Sequence, residues 1–387
     1  MSLDQNLQQG PAAGEITLVV AQSPRYYPHV ARHLRSLKKA YARVRLLYWE
    51  KDASEPLYAF PEVEAERVVL PSGGGGVFFL KLMLRFWSAL RRMRPDAIEA
   101  IDPYALGPAR WYSAFAGKPV RMAYFSMEYF TELPSLRAKP LKRLAWKSLE
   151  AWGVGGCAAV ATVCDSIAER LRADFSKPVS TVRNVPDRAD QGNMQDTWVG
   201  LHARCGLAGG EPVLLYQGML QEGRGLEVSI RALPKAPGLH LAIVGGGGLR
   251  ASLEALAREG GCAARVHFLG EVGYGELVHL TRDALAGLAL FEPLAPSYLF
   301  SLPGKLFEYI QAGVPVIATA LPEMRKIIEG YGVGLCLQDI SPEPVAAAMR
   351  RMAEDPDWRA GFHAGLEKAS QELCWEAEES RYLALYR

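Results

Sequence analysis

The chain has 387 residues, 49% of them hydrophobic and 22% charged, too long for one ordinary core and suited to two α/β domains. No run of eighteen or more uncharged apolar residues occurs, so no spanning helix is expected, and no basic start followed by an apolar run suggests a secretory signal. The six cysteines are scattered without ligand spacing and read as reduced thiols of a cytoplasmic protein. Net charge is only +2, but it is split: residues 1–190 hold 27 Lys and Arg against 19 Asp and Glu, and residues 191–387 hold 17 against 23. Two domains with different partners would account for that asymmetry.

Residues 1–14 read as a loose polar tail, and 15–190 as the first domain. Glu15–Ala21 is a strand, Ser23–Pro28 a loop, His29–Ala40 a helix and Val44–Trp49 the next strand, a right-handed crossover unit. His29 and His33 are four apart, but no third ligand accompanies them, and neither a metal nor another cofactor is expected. Ser72–Gly76 lacks the Gly-Lys-Ser/Thr ending of a phosphate loop and reads as a flexible approach to the next helix. That helix, Val77–Met93, carries one polar stripe of Lys81, Arg85, Ser88 and Arg92 among apolar and aromatic residues. It suits either a sheet-packed helix with snorkelling arginines or, over 77–94, a helix lying in an anionic membrane surface. Arg137–Lys147 repeats the basic and aromatic composition, and neither stretch resembles a nucleic-acid motif.

Pro95–Asp102 and Val120–Phe125 are strands. Side chains just beyond the carboxyl ends of parallel strands line the crevice, so Asp102 and Glu128 are candidate substrate-site carboxylates, with a surface position for each as the plain alternative. Ala158–Val163 is a strand, a helix runs to Arg172, and Val179–Pro186 closes the domain before a polar linker at 191–204.

The second domain, 205–371, opens with the strand Pro212–Gly218. In the loop that follows, Gly223 and Gly225 flank Arg224, so backbone and guanidinium can both approach an anion. Val244-Gly-Gly-Gly-Gly248 mimics a dinucleotide turn, but the third glycine of that fingerprint falls on Arg250. Arg265–Gly270 is a strand with Glu271 and Val272 at its carboxyl edge, and Leu285–Phe291 is another. The densest stretch is Tyr298–Thr319. Ser301–Gly304 form a turn, Lys305–Ala312 a helix that Ser301 can cap, and Val314–Thr319 a buried strand. A turn that delivers amides around Ser301 and Leu302 to a helix start is an anion site. Lys305 in the first turn suits phosphate, and Glu308 one turn deeper suits a ribose diol. The plain alternative is that Lys305 and Glu308 simply pair. Asp355-Pro-Asp357 reads as turn and cap residues rather than a metal motif.

Pro303-Gly-Lys-Leu-Phe-Glu-Tyr309 with Val314-Pro-Val-Ile317 resembles the donor-binding core of retaining glycosyltransferases of family four, in its bacterial branch. The resemblance covers the chain from about residue 15 onward and is specific in 212–320. It implies the GT-B fold: two Rossmann-like, doubly wound α/β domains facing a cleft, with the closing helix at 372–387 packed on the first domain. It implies that Glu308 holds the ribose of a nucleotide-sugar, that Arg224 binds the diphosphate, and that backbone near Gly218, Gly270, Glu271 and Val272 holds the nucleotide. Three positions depart from the pattern. Phe300 stands where relatives carry a sugar-binding glutamate, Met219 where they carry an arginine, and Met127 where many have histidine before Glu128. The first loop lacks the usual glycine pair and offers Arg25 instead. The function implied is transfer, with retention, from a nucleotide-sugar to a saccharide or lipid-linked acceptor in cell-surface glycan synthesis, by a cytoplasmic enzyme peripheral to the membrane. A catalytically degenerate partner subunit and a sugar-nucleotide epimerase are the alternatives.

Overall fold

The computed structural model describes residues 12–71, 73, 75–188 and 199–387. Most of the expected tail, positions 72 and 74 of the glycine loop, and 191–198 of the expected linker lie outside them; Leu201–Arg204 is a short helix with Leu201 buried. Contacts divide the chain into two compact units, one running to Asn184 and including Glu378–Arg387, the other Val185–Ala377.

The first unit is a seven-stranded sheet, parallel throughout, in the order β3-β2-β1-β4-β5-β6-β7. The strands are β1 Ala12–Val20, β2 Tyr41–Glu50, β3 Glu64–Val69, β4 Ala97–Ile101, β5 Arg121–Ser126, β6 Ala159–Thr162 and β7 Ser180–Thr181. Ile16 of β1 lies opposite Val44 on one side and Ala97 on the other, so β1 and β4 are the centre. Every residue of β4 is buried, as a parallel strand covered on both faces requires. That includes Glu99, which is tolerated because both oxygens are engaged: Oε1 with His33 Nδ1 at 2.7 Å, Oε2 by the Tyr382 hydroxyl at 2.5 Å. Arg183 Nη1 donates to Glu378 at 2.9 Å and Ser36 Oγ to Glu379 at 2.7 Å, further ties between the last residues and this unit.

The second unit is a six-stranded parallel sheet in the order β10-β9-β8-β11-β12-β13. Its strands are β8 Val213–Gln217, β9 His240–Val244, β10 Val266–Gly270, β11 Ala286–Ala289, β12 Val316–Thr319 and β13 Gly334–Leu337. Leu214, Tyr216, Leu241, Ile243, Leu288 and Ile317 form its core, with Val345 and Met349 packed over them. In each sheet the winding direction reverses once, between β1 and β4 and between β8 and β11. Loops leave in opposite directions at such a point and open a crevice at the carboxyl ends of the strands.

The Gly76–Met93 helix differs from its expected pattern. Leu82, Phe86, Ala89 and Leu90 are buried, but Val77, Leu80 and Leu84 are exposed beside the basic stripe.

Candidate active site

The reversal in the second unit gathers most of the expected donor residues. Strand β8 ends at Gly218, whose φ of +127° lies in the region that favours glycine. The chain then loops to Gly225, also at positive φ (+73°), where a side chain would collide with the Leu290 carbonyl. The Leu226–Ala232 helix starts there. Across from this loop, Phe291 follows β11, and the Pro296–Leu299 turn presents Tyr298.

Arg224 is held between rings. Its guanidinium carbon lies 4.6 Å from the centroid of Phe291 and 4.6 Å from that of Tyr298. In the amide orientation that satisfies its neighbours, the Gln221 oxygen accepts from Arg224 Nε at 2.9 Å and from the Tyr298 hydroxyl at 3.1 Å. Lys305 is treated the same way. Its ammonium sits 3.6 Å from the centroid of Tyr216 and 5.6 Å from that of Phe291. A β-carbon on Gly218 would lie 3.2 Å from the ammonium, so Lys305 lies beneath the residue preceding Met219. Met219 itself points outward, 60% exposed.

The Lys305 ammonium is buried and has no hydrogen-bond partner among the described residues. The simple Lys305–Glu308 hydrogen bond is therefore not made. Burial, then the Arg224 charge, lower the lysine well below its ordinary range, with Glu308 opposing them. Glu308 accepts instead from the Gln217 amide, and Gln217 Oε1 accepts from Thr281 Oγ1 at 3.0 Å. That chain fixes the carboxylate one helical turn from the ammonium.

The Gly304–Gln311 helix begins one residue earlier than expected, with Pro303 at the cap position and no side-chain cap. Ser301 does not cap it; its hydroxyl is buried without a partner among the described residues. Leu302 is buried beside it. The first-turn amides therefore have no side-chain competitor for an anion. Gly270, φ +77°, ends β10, and its carbonyl accepts from Gly245 N at 2.8 Å; Glu271 lies against Gly246. The Gly245–Gly248 turn has a structural reason. Gly218 N donates to Val244 O and Leu220 N to Gly246 O, each at 2.9 Å, and a β-carbon on Gly245 would strike the Gly218 carbonyl. Those glycines admit the neighbouring backbone.

In the first unit the reversal gathers acids. Asp102 follows β4 with φ +63°, unusual for a non-glycine, and opens the Asp102–Phe115 helix. Its Oδ1 accepts from Met127 N at 2.9 Å. Burial, then Glu128, push its carboxyl up to about 8 against the lowering effect of that amide. The Glu128 carbonyl accepts from Ser126 Oγ at 2.8 Å. Tyr27 belongs to the same group: burial, Asp102 and Glu128 all raise its hydroxyl. Arg25 is engaged elsewhere, 3.7 Å from Glu50 and donating to the Pro56 carbonyl. Tyr27, Tyr216, Gln217, Gln221, Phe291 and Tyr298 were not singled out by sequence reasoning. Four of them sit at or just beyond a central strand's carboxyl end or in the β8 loop, which was the available signal. The Asp355 carboxylate accepts from Trp358 N at 3.0 Å, as a cap does, and no cluster of metal-ligating residues occurs among the described residues.

Two family models match. Residues 201–368 match "Glycosyl transferases group 1", and residues 25–185 match the "Glycosyl transferase 4-like domain". A D-inositol 3-phosphate glycosyltransferase of Nocardiopsis dassonvillei is 27% identical over 247 residues, 58% of this chain and 54% of the relative. The chain spans about half the length of the curated relatives it matches. Among solved structures, a sucrose-phosphate synthase from Thermosynechococcus elongatus superposes with a TM-score of 0.76 at 17% identity, covering 96% of this chain and 98% of that one. Anabaena HepE in complex with UDP-glucose gives 0.71 at 14% identity, covering 96% and 99%.

Proposed function

We propose that this chain, which belongs to the group 1, family-4-type glycosyl transferases of GT-B fold, transfers a sugar from a nucleoside-diphosphate sugar to a saccharide or lipid-linked acceptor. One observation carries the reading. Two cations, Arg224 and Lys305, lie together at a strand-order reversal, and rings rather than carboxylates hold them. An incoming diphosphate would break no ion pair found among the described residues and would give the Lys305 ammonium a hydrogen-bond partner.

In the proposed reaction the sugar–phosphate bond breaks and the leaving diphosphate gains charge. Arg224, Lys305 and the amides near Ser301 and Leu302 stabilise that charge as it develops. Glu308, oriented by Gln217, accepts from the ribose hydroxyls. Lys305, beneath Gly218, stands in for the cation missing at Met219. Retention follows if the acceptor attacks from the face that the diphosphate leaves, with a phosphate oxygen taking the acceptor proton. Asp102 and Glu128 are assigned to the acceptor. The work is placed on the cytoplasmic side of a membrane, in cell-surface glycan synthesis.

The test is a thermal-shift screen with UDP-, GDP- and ADP-sugars, with Lys305→Ala and Glu308→Ala as controls. A ligand that binds only the folded chain raises its melting temperature. A shift with one nucleotide, lost in both variants, supports the donor site; no shift with any overturns it. Product analysis then separates transfer from its rivals: glycosylated acceptor with the starting anomeric configuration supports transfer, an isomerised sugar-nucleotide would mean an epimerase, and binding without turnover a non-catalytic partner.

A further inference from the structure

We infer that Gln221 is a positioning residue for the donor: its side-chain oxygen closes one edge of the Arg224 guanidinium, so that the other edge is presented as a fork to a phosphate of a nucleoside diphosphate. The inference rests on the donor reading of this site and adds the residue that aims its arginine.

Arg224 is held by three side chains. Phe291 and Tyr298 supply rings, each centroid 4.6 Å from the guanidinium carbon. Gln221 supplies an oxygen. It accepts from Arg224 Nε at 2.9 Å and also from Nη2, the two nitrogens of one edge. A guanidinium is planar and rigid, so closing that edge leaves the edge between Nη1 and Nη2 as the free one. That edge has no partner among the described residues. Two parallel N–H groups there match two oxygens of one phosphate.

The loop is built to bring Gln221 to this place. A β-carbon on Gly223 would lie 2.6 Å from Leu294 and 2.9 Å from Tyr298, and Glu292 N donates to the Gly223 carbonyl at 3.0 Å. The loop is therefore pressed against the turn that carries Tyr298. The Tyr298 hydroxyl donates to the same Gln221 oxygen at 3.1 Å. An oxygen that takes hydrogen bonds from two side chains fixes its own amide and the arginine together.

The group on the guanidinium is neutral although acids are at hand. Glu222 and Glu227 share the loop and the first helical turn after it, and neither forms an ion pair with Arg224 among the described residues. They face Glu292 instead, whose carboxyl is raised by burial, then by Glu227, then by Glu222. A carboxylate on Arg224 would hold the same edge and cancel the charge that a diphosphate needs. An amide oxygen holds the edge and leaves the charge.

The experiment is calorimetric titration of the full chain with UDP, GDP and ADP, comparing the wild type with Gln221→Met and Gln221→Glu. Melting curves without nucleotide check that the variants fold. The wild type is expected to bind at least one of the three. Gln221→Met, which keeps the length and loses the oxygen, should weaken that binding roughly ten-fold. Gln221→Glu keeps the shape and the oxygen but pairs with Arg224, and should also weaken binding by at least about ten-fold. In an Arg224→Lys background, which keeps the charge without the fork, Gln221→Met should cost less than about two-fold more. Tighter binding by Gln221→Met would make Gln221 a competitor of the phosphate for Arg224. A glutamate variant that binds like the wild type would make it a residue of the loop alone. Either overturns the proposal, and so does a loss of about ten-fold in the lysine background, because Gln221 would then act without the fork. Wild-type binding with both variants unchanged removes the role of Gln221 alone. A wild type that binds none of the three nucleotides removes the donor reading, and this inference with it.

Discussion

At the strand-order reversal of the second sheet, two cations rest on rings, and one of them has no hydrogen-bond partner among the described residues. At the reversal of the first sheet, Asp102, Glu128 and Tyr27 crowd together, and one carboxyl is pushed up to about 8. The backbone plan is the same: a central pair of parallel strands, loops leaving in opposite directions, and a helix starting at the crevice. The plan makes a concave, amide-lined place and does not choose its ligand. The choice lies in a few side chains just past the strand ends. Cations held on rings, with no ion pair among the described residues, suit an anion with charges on two phosphates. Acids held close together, one of them biased toward its protonated form, suit hydroxyl groups, to which they can both donate and accept.

Removing the cations breaks this contrast most severely. Arg224→Ala and Lys305→Ala are each expected to cost about 1.5–3 kcal/mol of transition-state binding, the range for hydrogen bonds to charged groups. Steady-state kcat/KM should then fall by roughly ten- to a hundred-fold or more, and unchanged turnover in both would remove the donor assignment. Next comes the acid side. The folded-state carboxyl of Asp102 titrates well above its unfolded value. The stability this confers is fully present below about pH 4 and is lost as the pH rises through about 8. Asp102→Asn, which keeps the shape without the charge, should therefore melt above the wild type by about 3–5 °C at pH 8.5. The gap should close toward pH 4. Melting curves across that range check it, and parallel curves at both ends would show that the carboxyl is not buried as described.

The fold was legible to different degrees along the chain. The apolar β-branched run of β12 and the all-buried run of β4 mark strands covered on both faces. β3 was not anticipated, because Glu64-Ala-Glu-Arg-Val-Val69 lies at a sheet edge, where one flank faces solvent and charges are admitted. Lys305, Arg224 and Glu308 stood out because a charge among glycines and apolar residues needs a reason. The rings that hold the cations did not, since Tyr216, Phe291 and Tyr298 read as core by composition alone. The positive φ of Asp102 is set by the packing of two elements distant in sequence and leaves no local mark. The exposure of Leu80 and Leu84 was hidden for the opposite reason: a helix apolar nearly all round does not declare which side the sheet will take.

Smaller effects sharpen the comparison by separating the rings from the charges. Tyr298→Leu removes one of the two faces that hold Arg224, and a cation–ring contact of this kind contributes about 0.5–2 kcal/mol. Its loss should appear mainly in donor KM, with kcat less affected. Tyr298→Phe keeps the face and gives up only the hydroxyl contact with Gln221, so it should recover most of the affinity. A phenylalanine variant as weak as the leucine variant would assign the effect to Gln221 instead.

The smallest effect has the opposite sign. Without donor, Lys305 is held below its ordinary protonation range by burial and by Arg224. Over the interval between its folded value and that of free lysine, the unfolded chain binds the proton more readily, so the lysine costs stability that is regained as the pH rises. Lys305→Met fills the same space on Tyr216 without a charge and should raise the donor-free melting temperature at neutral pH by about 2–4 °C, equivalent to ~1 kcal/mol. The gain should shrink toward pH 10 as free lysine loses its own proton. The same variant should show no thermal shift with the nucleotide-sugar that shifts the wild type. A side chain whose removal stabilises the empty protein and abolishes its ligand response is retained for the ligand; a Lys305→Met protein that melts lower and still responds to the donor would assign Lys305 to the fold.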